Sequence, residues 1–141
     1  MLNEIYTELI AEHSRSKENR RTLPNATVKE RGHNPTCGDE ITIELAVADG
    51  VIVDAAFSGA GCAISQASTD MRIELMRGKS IAEAKRLAEL FIAMIQGTVT
   101  DDDELADLDE AAALKNISTM PARVKCATLA WHTLDTAVDK L

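Results

Sequence analysis

The sequence predicts an α+β fold in which a small antiparallel sheet is covered by helices. Two patterns carry that prediction. One is apolar alternation on both sides of Asp49-Gly50, the period of half-buried strands joined by a two-residue turn. The other is a set of apolar faces recurring at steps of three and four before and after that stretch, the period of amphipathic helices.

In chain order, Leu2, Ile5, Tyr6, Leu9, Ile10 and His13 make one helical face of about three turns. Residues 14–36 are polar and read as a long loop, with Ala26 to Lys29 a candidate short strand. Ile41, Ile43, Leu45 and Val47 alternate with Thr42, Glu44 and Ala46, and Val51, Val53, Ala55 and Phe57 alternate down the return strand. After the Gly59-Ala60-Gly61 turn, a helix is expected from Cys62 to Met76, stopped at Arg77-Gly78. Ser80 and Glu83 form a capping box for the next helix, whose face runs Ile81, Ala84, Ala88, Phe91, Ile92, Ile95 until Gly97. The acidic block Asp101 to Glu104 suits a helix start, where carboxylates meet unpaired N–H groups, and equally a solvated charged turn. Leu105, Leu108, Ala112 and Ile117 predict a short helix packed on the domain. Pro121 fits the first turn of the last helix, with Leu129, Ala130, Leu134, Ala137 and Val138 as its buried stripe. With no internal repeat and no linker, residues 1–141 read as one domain.

Composition narrows the function. Hydrophobic residues are 45% and charged residues 27% of 141, the balance of a globular chain. Tyr6, Phe57, Phe91 and Trp131 are its aromatics, so the core falls mainly to Ala, Leu, Ile and Val. A net charge of −8 argues against a nucleic-acid groove, which needs a basic face, and suits a partner with a basic contact patch. Neither a signal-peptide pattern nor an apolar run of about 18 residues is present, so no membrane role is expected. The expected setting is a cytoplasmic, reducing one that keeps thiols free.

The chemistry lies in three cysteines. An odd number excludes a purely intramolecular disulfide framework. Cys37 opens Cys37-Gly38-Asp39 before the hairpin, Cys62 closes the Gly-rich turn after it, and Cys126 lies near the start of the last helix. Three thiolates and the Asp39 carboxylate are four donors, the number of a tetrahedral zinc site. The hairpin returns Cys62 to the end of the sheet where Cys37 begins, whereas Cys126 can join only through tertiary packing. Helix N-termini at Cys62 and Cys126, with Arg123 and Lys125 near the latter, would favour thiolate. Isolated cysteines also serve as small buried apolar side chains, and spacing does not separate the two roles. Among the histidines, His13 reads as packed, His33 as able to approach the site, and His132 as exposed.

Cys37-Gly38-Asp39, the run Phe57-Ser58-Gly59-Ala60-Gly61-Cys62-Ala63-Ile64-Ser65, Gly78-Lys79-Ser80 and Pro121-Ala122-Arg123-Val124-Lys125-Cys126 resemble the U-type iron–sulfur assembly proteins. This is the IscU/NifU N-terminal family, and the resemblance is strongest to its SufU branch. It implies an IscU/SufE-like α+β fold, a small three-stranded antiparallel sheet packed with about five to six helices, in which Ala26 to Lys29 becomes an edge strand. It also implies that Cys37, Asp39, Cys62 and Cys126 are the metal-site residues, for Zn²⁺ in the SufU branch or a nascent [2Fe–2S] cluster in the scaffold branch. Lys125 stands where scaffolds carry His before the third cysteine, and the acidic stretch Asp101 to Leu114 resembles the insertion of SufU proteins.

The function so implied is a zinc-dependent sulfur acceptor for a PLP-dependent cysteine desulfurase of the SUF system, feeding downstream cluster assembly proteins. Cys37 is the expected acceptor, and Arg123 an auxiliary that orients the thiolate or contacts the partner. The chain would then stimulate the desulfurase as a sulfurtransferase-type partner. The alternatives are a scaffold that assembles and transfers a [2Fe–2S] cluster, and a binding module with a structural zinc site.

Overall fold

The computed structural model describes residues 2–34 and 38–140; the side chains of Leu2 to Thr7 and of Ala122 are not among those described. Its elements are α1 (Leu2–Arg15), β1 (Val28–Asn34), β2 (Asp39–Ala48), β3 (Val51–Ala60), α2 (Ala63–Met76), α3 (Ile81–Ile95), α4 (Asp102–Leu105), a 3₁₀ segment (Ala106–Thr119) and α5 (Pro121–Asp139). The strands form one antiparallel sheet in the order β1-β2-β3. The α+β expectation of a three-stranded sheet covered by helices therefore holds.

Asp49 and Gly50 both take positive φ, 53° and 76°, which makes the turn the primed type whose twist matches the flanking strands. Ile41, Ile43 and Leu45 on β2 are fully buried, as the alternation requires. The third strand lies later than expected. Instead of Ala26 to Lys29 it runs Val28–Asn34, paired from Val28↔Leu45 to Asn34↔Asp39. Its polar sequence has little strand character, and the exposed backbone edge of β2 selects the register. Gly32 on β1 permits close approach of α5, since a Cβ there would stand 2.0 Å from Thr133 Oγ1.

On α1, Ile10 and His13 are buried and Leu9 packs against the core, while the rest of the expected face falls on side chains outside those described. Ser80 caps α3 by accepting the Glu83 amide at 3.1 Å. Phe91 of α3 stacks on Trp131 of α5, with centroids 3.8 Å apart and planes 2° from parallel. Asp101 caps α4 as the acidic block allows. Beyond it, the expected short helix is 3₁₀ in form: Leu105, Leu108, Ala111, Leu114 and Ile117 are buried at steps of three, the period of that helix. Asp109, at φ 53° and ψ −131°, breaks the segment in two.

Candidate metal centre

Three elements meet at one end of the hairpin. Asp39 is the first residue of β2, and Glu40 beside it pairs with Ala60, the last of β3. The chain then turns through Gly61, and Cys62 becomes the N-cap of α2, its Sγ accepting the Ser65 amide at 3.4 Å. The Cys62 amide in turn donates to Asp39 Oδ1 at 2.9 Å. That bond fixes the strand start against the helix start.

Cys126 arrives from 64 residues further along the chain. Ser68 on α2 donates to the Ala127 carbonyl at 2.5 Å and accepts Trp131 Nε1–H at 2.9 Å, so one hydroxyl joins α2 to α5 just beyond Cys126. The result is a convergent set: donor atoms of Asp39, Cys62 and Cys126 all lie within 4.8 Å of one another. Asp39 is fully buried, Cys126 nearly so, and Cys62 half-buried.

A bound cation is tested by the carboxylate. Asp39 Oδ2 is buried with no hydrogen-bond partner among the described residues, a state that costs about 1–3 kcal/mol unless something charged or donating meets it. Two sulfurs and one carboxylate oxygen around such an atom form a donor set suited to a borderline-soft divalent ion such as zinc. The donors present fit the group.

Of the residues expected at the site, Asp39, Cys62 and Cys126 are brought together, and Cys37 lies outside the described residues. Arg123 is exposed in the first turn of α5. Cys126 was expected to profit from a helix start, but it is the sixth residue of α5 and so lies beyond the free amides of the first turn. Lys125 and Arg123 carry their charges in solvent while Cys126 points inward. His33 stands on the exposed side of β1 opposite Glu40, away from buried Asn34 and Asp39. His132 is exposed, as expected. The sequence reading missed Ser65, whose buried hydroxyl lies with Asp39 Oδ1 beside Gly61, and Ser68. The available signal for both was a polar helix face, since Ser65, Ser68, Thr69 and Arg72 recur at steps of three and four.

Comparison with known proteins bears on the chain as a whole. The profile of the NifU-like N-terminal domain matches residues 5–141. The chain is 43% identical over 137 residues to the iron–sulfur cluster assembly scaffold protein IscU of Thermotoga maritima, covering 97% of this chain and 94% of that one. It is 37% identical over 139 residues to the zinc-dependent sulfurtransferase SufU of Bacillus subtilis, covering 99% and 92%. A crystal structure from Fervidobacterium islandicum, described as a candidate cluster assembly scaffold for the SUF system, superposes with a TM-score of 0.84 at 38% identity, covering 96% and 98%. No helix among the described residues is long and apolar enough to cross a membrane.

Proposed function

The chain belongs to the NifU-like N-terminal domain family of iron–sulfur cluster assembly proteins, and from that membership we propose that it is a zinc-dependent sulfur acceptor for a cysteine desulfurase. The observation that carries the reading is the convergence of Asp39, Cys62 and Cys126, with Cys37 two residues before Asp39 in sequence. Zinc would be held by these three donors and Cys37, and when bound it keeps thiol ligands deprotonated at neutral pH.

The transfer is thiol–persulfide exchange. The Cys37 thiolate attacks the outer sulfur of the desulfurase persulfide. A new S–S bond forms at Cys37 Sγ as the partner's S–S bond breaks, and the partner cysteine leaves as thiolate, so no external oxidant is needed. The desulfurase is the PLP enzyme of a SUF-type system in the cytoplasm, and downstream cluster assembly proteins take the sulfur. Exposed Arg123, three residues before Cys126, is the proposed auxiliary cation at this rim. The whole chain, 1–141, acts as one unit in this scheme.

Incubation with desulfurase and cysteine, followed by mass spectrometry of the intact chain, tests it. One added sulfur is expected on the native chain and none on Cys37→Ala; sulfur on that variant, or desulfurase turnover stimulated as by the native chain, refutes the acceptor role. The 43% identity to a protein named as a scaffold favours a second reading, in which a [2Fe–2S] cluster is the cargo of the same donors. Anaerobic reconstitution that leaves a stable visible-absorbing cluster would select it.

A further inference from the structure

A second cluster of metal-ligating side chains lies away from the cysteines. His13 of α1 is 6% exposed, and its Nδ1 meets Asp70 Oδ2 of α2 at 2.5 Å. Asp70 is fully buried, and its other oxygen accepts Asn19 Nδ2 at 2.8 Å, so this carboxylate is satisfied and the ring is held in one orientation. Nε2 then points to the outer side, where it meets Glu110 of the 3₁₀ segment. Glu74, one turn along α2 from Asp70, completes the group: ligand atoms of His13, Glu74 and Glu110 lie within 4.8 Å of one another.

We propose that His13 Nε2, Glu74 and Glu110 form a site for a divalent first-row cation, completed by water, with Asp70 as the carboxylate that orients the imidazole. A metal-bound His commonly donates its other N–H to a carboxylate, which fixes tautomer and ring plane, and the Asp70–His13 pair has that form. Room exists on the open side, because His13, Glu74 and Glu110 all line a cavity of about 220 Å³. Three carboxylates surround one imidazole, so the cluster carries an excess of negative charge even with the ring protonated. A cation at Nε2 takes the place of the ring's outer proton, which leaves to solvent.

The site is separate from the cysteine centre. Glu74 follows Cys62 by 12 residues, about 18 Å along α2. Its donors differ too: one imidazole and two carboxylates favour manganese, iron or zinc without the soft-metal selectivity of thiolate. A cation there fastens the 3₁₀ segment to α1 and α2.

Manganese(II) is the probe, since it is paramagnetic and disfavours thiolate. Titrated into the full chain, it is expected to broaden the His13 ring resonances at sub-stoichiometric levels while leaving His33 and His132 sharp, with about one ion bound per chain by EPR. Glu110→Gln, an exposed substitution that leaves the buried Asp70–His13 pair intact, should weaken binding about tenfold or more. Glu104→Gln, on the neighbouring acidic helix, should leave it unchanged. Absence of selective broadening at His13, native affinity in Glu110→Gln, or equal weakening in Glu104→Gln would each overturn the site. Glu110→Gln is the informative variant because His13→Asn would break the buried pair with Asp70 and confound folding with binding.

Discussion

Gly61→Ala tests the candidate metal centre through one atom. A Cβ built at Gly61 would stand 2.8 Å from Asp39 Oδ1 and 3.1 Å from Ser65 Oγ, where ordinary contact begins near 3.4 Å. Gly61 does not occupy the left-handed region, so alanine is tolerated by the backbone and the clash alone must be relieved. The movable neighbour is the Asp39 carboxylate, which has to retreat by about 0.6 Å. Moving directly away, it stretches the 2.9 Å bond from the Cys62 amide toward about 3.5 Å, outside hydrogen-bond range. Loss of a hydrogen bond to a charged acceptor costs about 1.5–3 kcal/mol. The lower entropy of an unfolded alanine chain returns about 0.4–1 kcal/mol, leaving a net destabilisation of about 0.5–2.6 kcal/mol.

Zinc affinity should fall more sharply than stability. The displaced group is a proposed ligand, and even outer partners of ligands cost about 10–100-fold when disturbed. Competition with a chromophoric chelator measures the affinity, and urea denaturation of the same sample measures the stability. Gly97→Ala is the control: φ there is +77° with nothing within 4 Å of the new Cβ, so it destabilises through the backbone without touching the site. A folded Gly61→Ala protein with native zinc affinity would refute the assignment of Asp39 as a donor, and equal affinity loss in Gly97→Ala would reduce the effect to general destabilisation.

Further outcomes follow from the packing and the charges. Phe91→Ala removes the ring stacked on Trp131 and should cost about 3–5 kcal/mol in chemical denaturation; a loss under about 1 kcal/mol would mean the stack is not central to the core. The Asp54 carboxyl is held below the usual carboxylate range, foremost by its hydrogen bond from Arg21, with Arg77 adding to it. A lowered carboxylate contributes stability that is whole above its unfolded pKa near 3.9 and is lost as pH falls through the folded value. Comparing the native chain with Asp54→Asn by urea denaturation should therefore show a difference under about 1 kcal/mol at pH 7, for a partly exposed pair, that shrinks toward pH 3; a pH-independent difference would dismiss the linkage. Removal of metal by a chelator should lower the melting temperature while circular dichroism keeps its helical signature, because the Phe91–Trp131 core does not depend on the site; global unfolding would favour a structural zinc.

Local chemistry was legible without coordinates. The Asp49-Gly50 turn, the alternation of Ile41, Ile43 and Leu45, and the Ser80 cap each depend on a few neighbouring residues, and each stands where the sequence puts it. The grouping of Cys62 with Asp39 was also legible, since one hairpin returns the chain to its starting end. What the sequence left open belongs to contacts between distant segments. β1 takes its register from the free edge of β2, so its polar residues could not announce Val28–Asn34. Cys126 reaches the site because the Ser68 hydroxyl and the Phe91–Trp131 stack set α5 against α2 and α3. His13 looked like one more packed side chain on an apolar face; only the fold supplies Asp70, Glu74 and Glu110, from 57, 61 and 97 residues away. Periodicity reports what each element buries. The partners that turn a buried histidine or cysteine into a site come from elements it cannot see, because their approach is decided by packing over the whole chain.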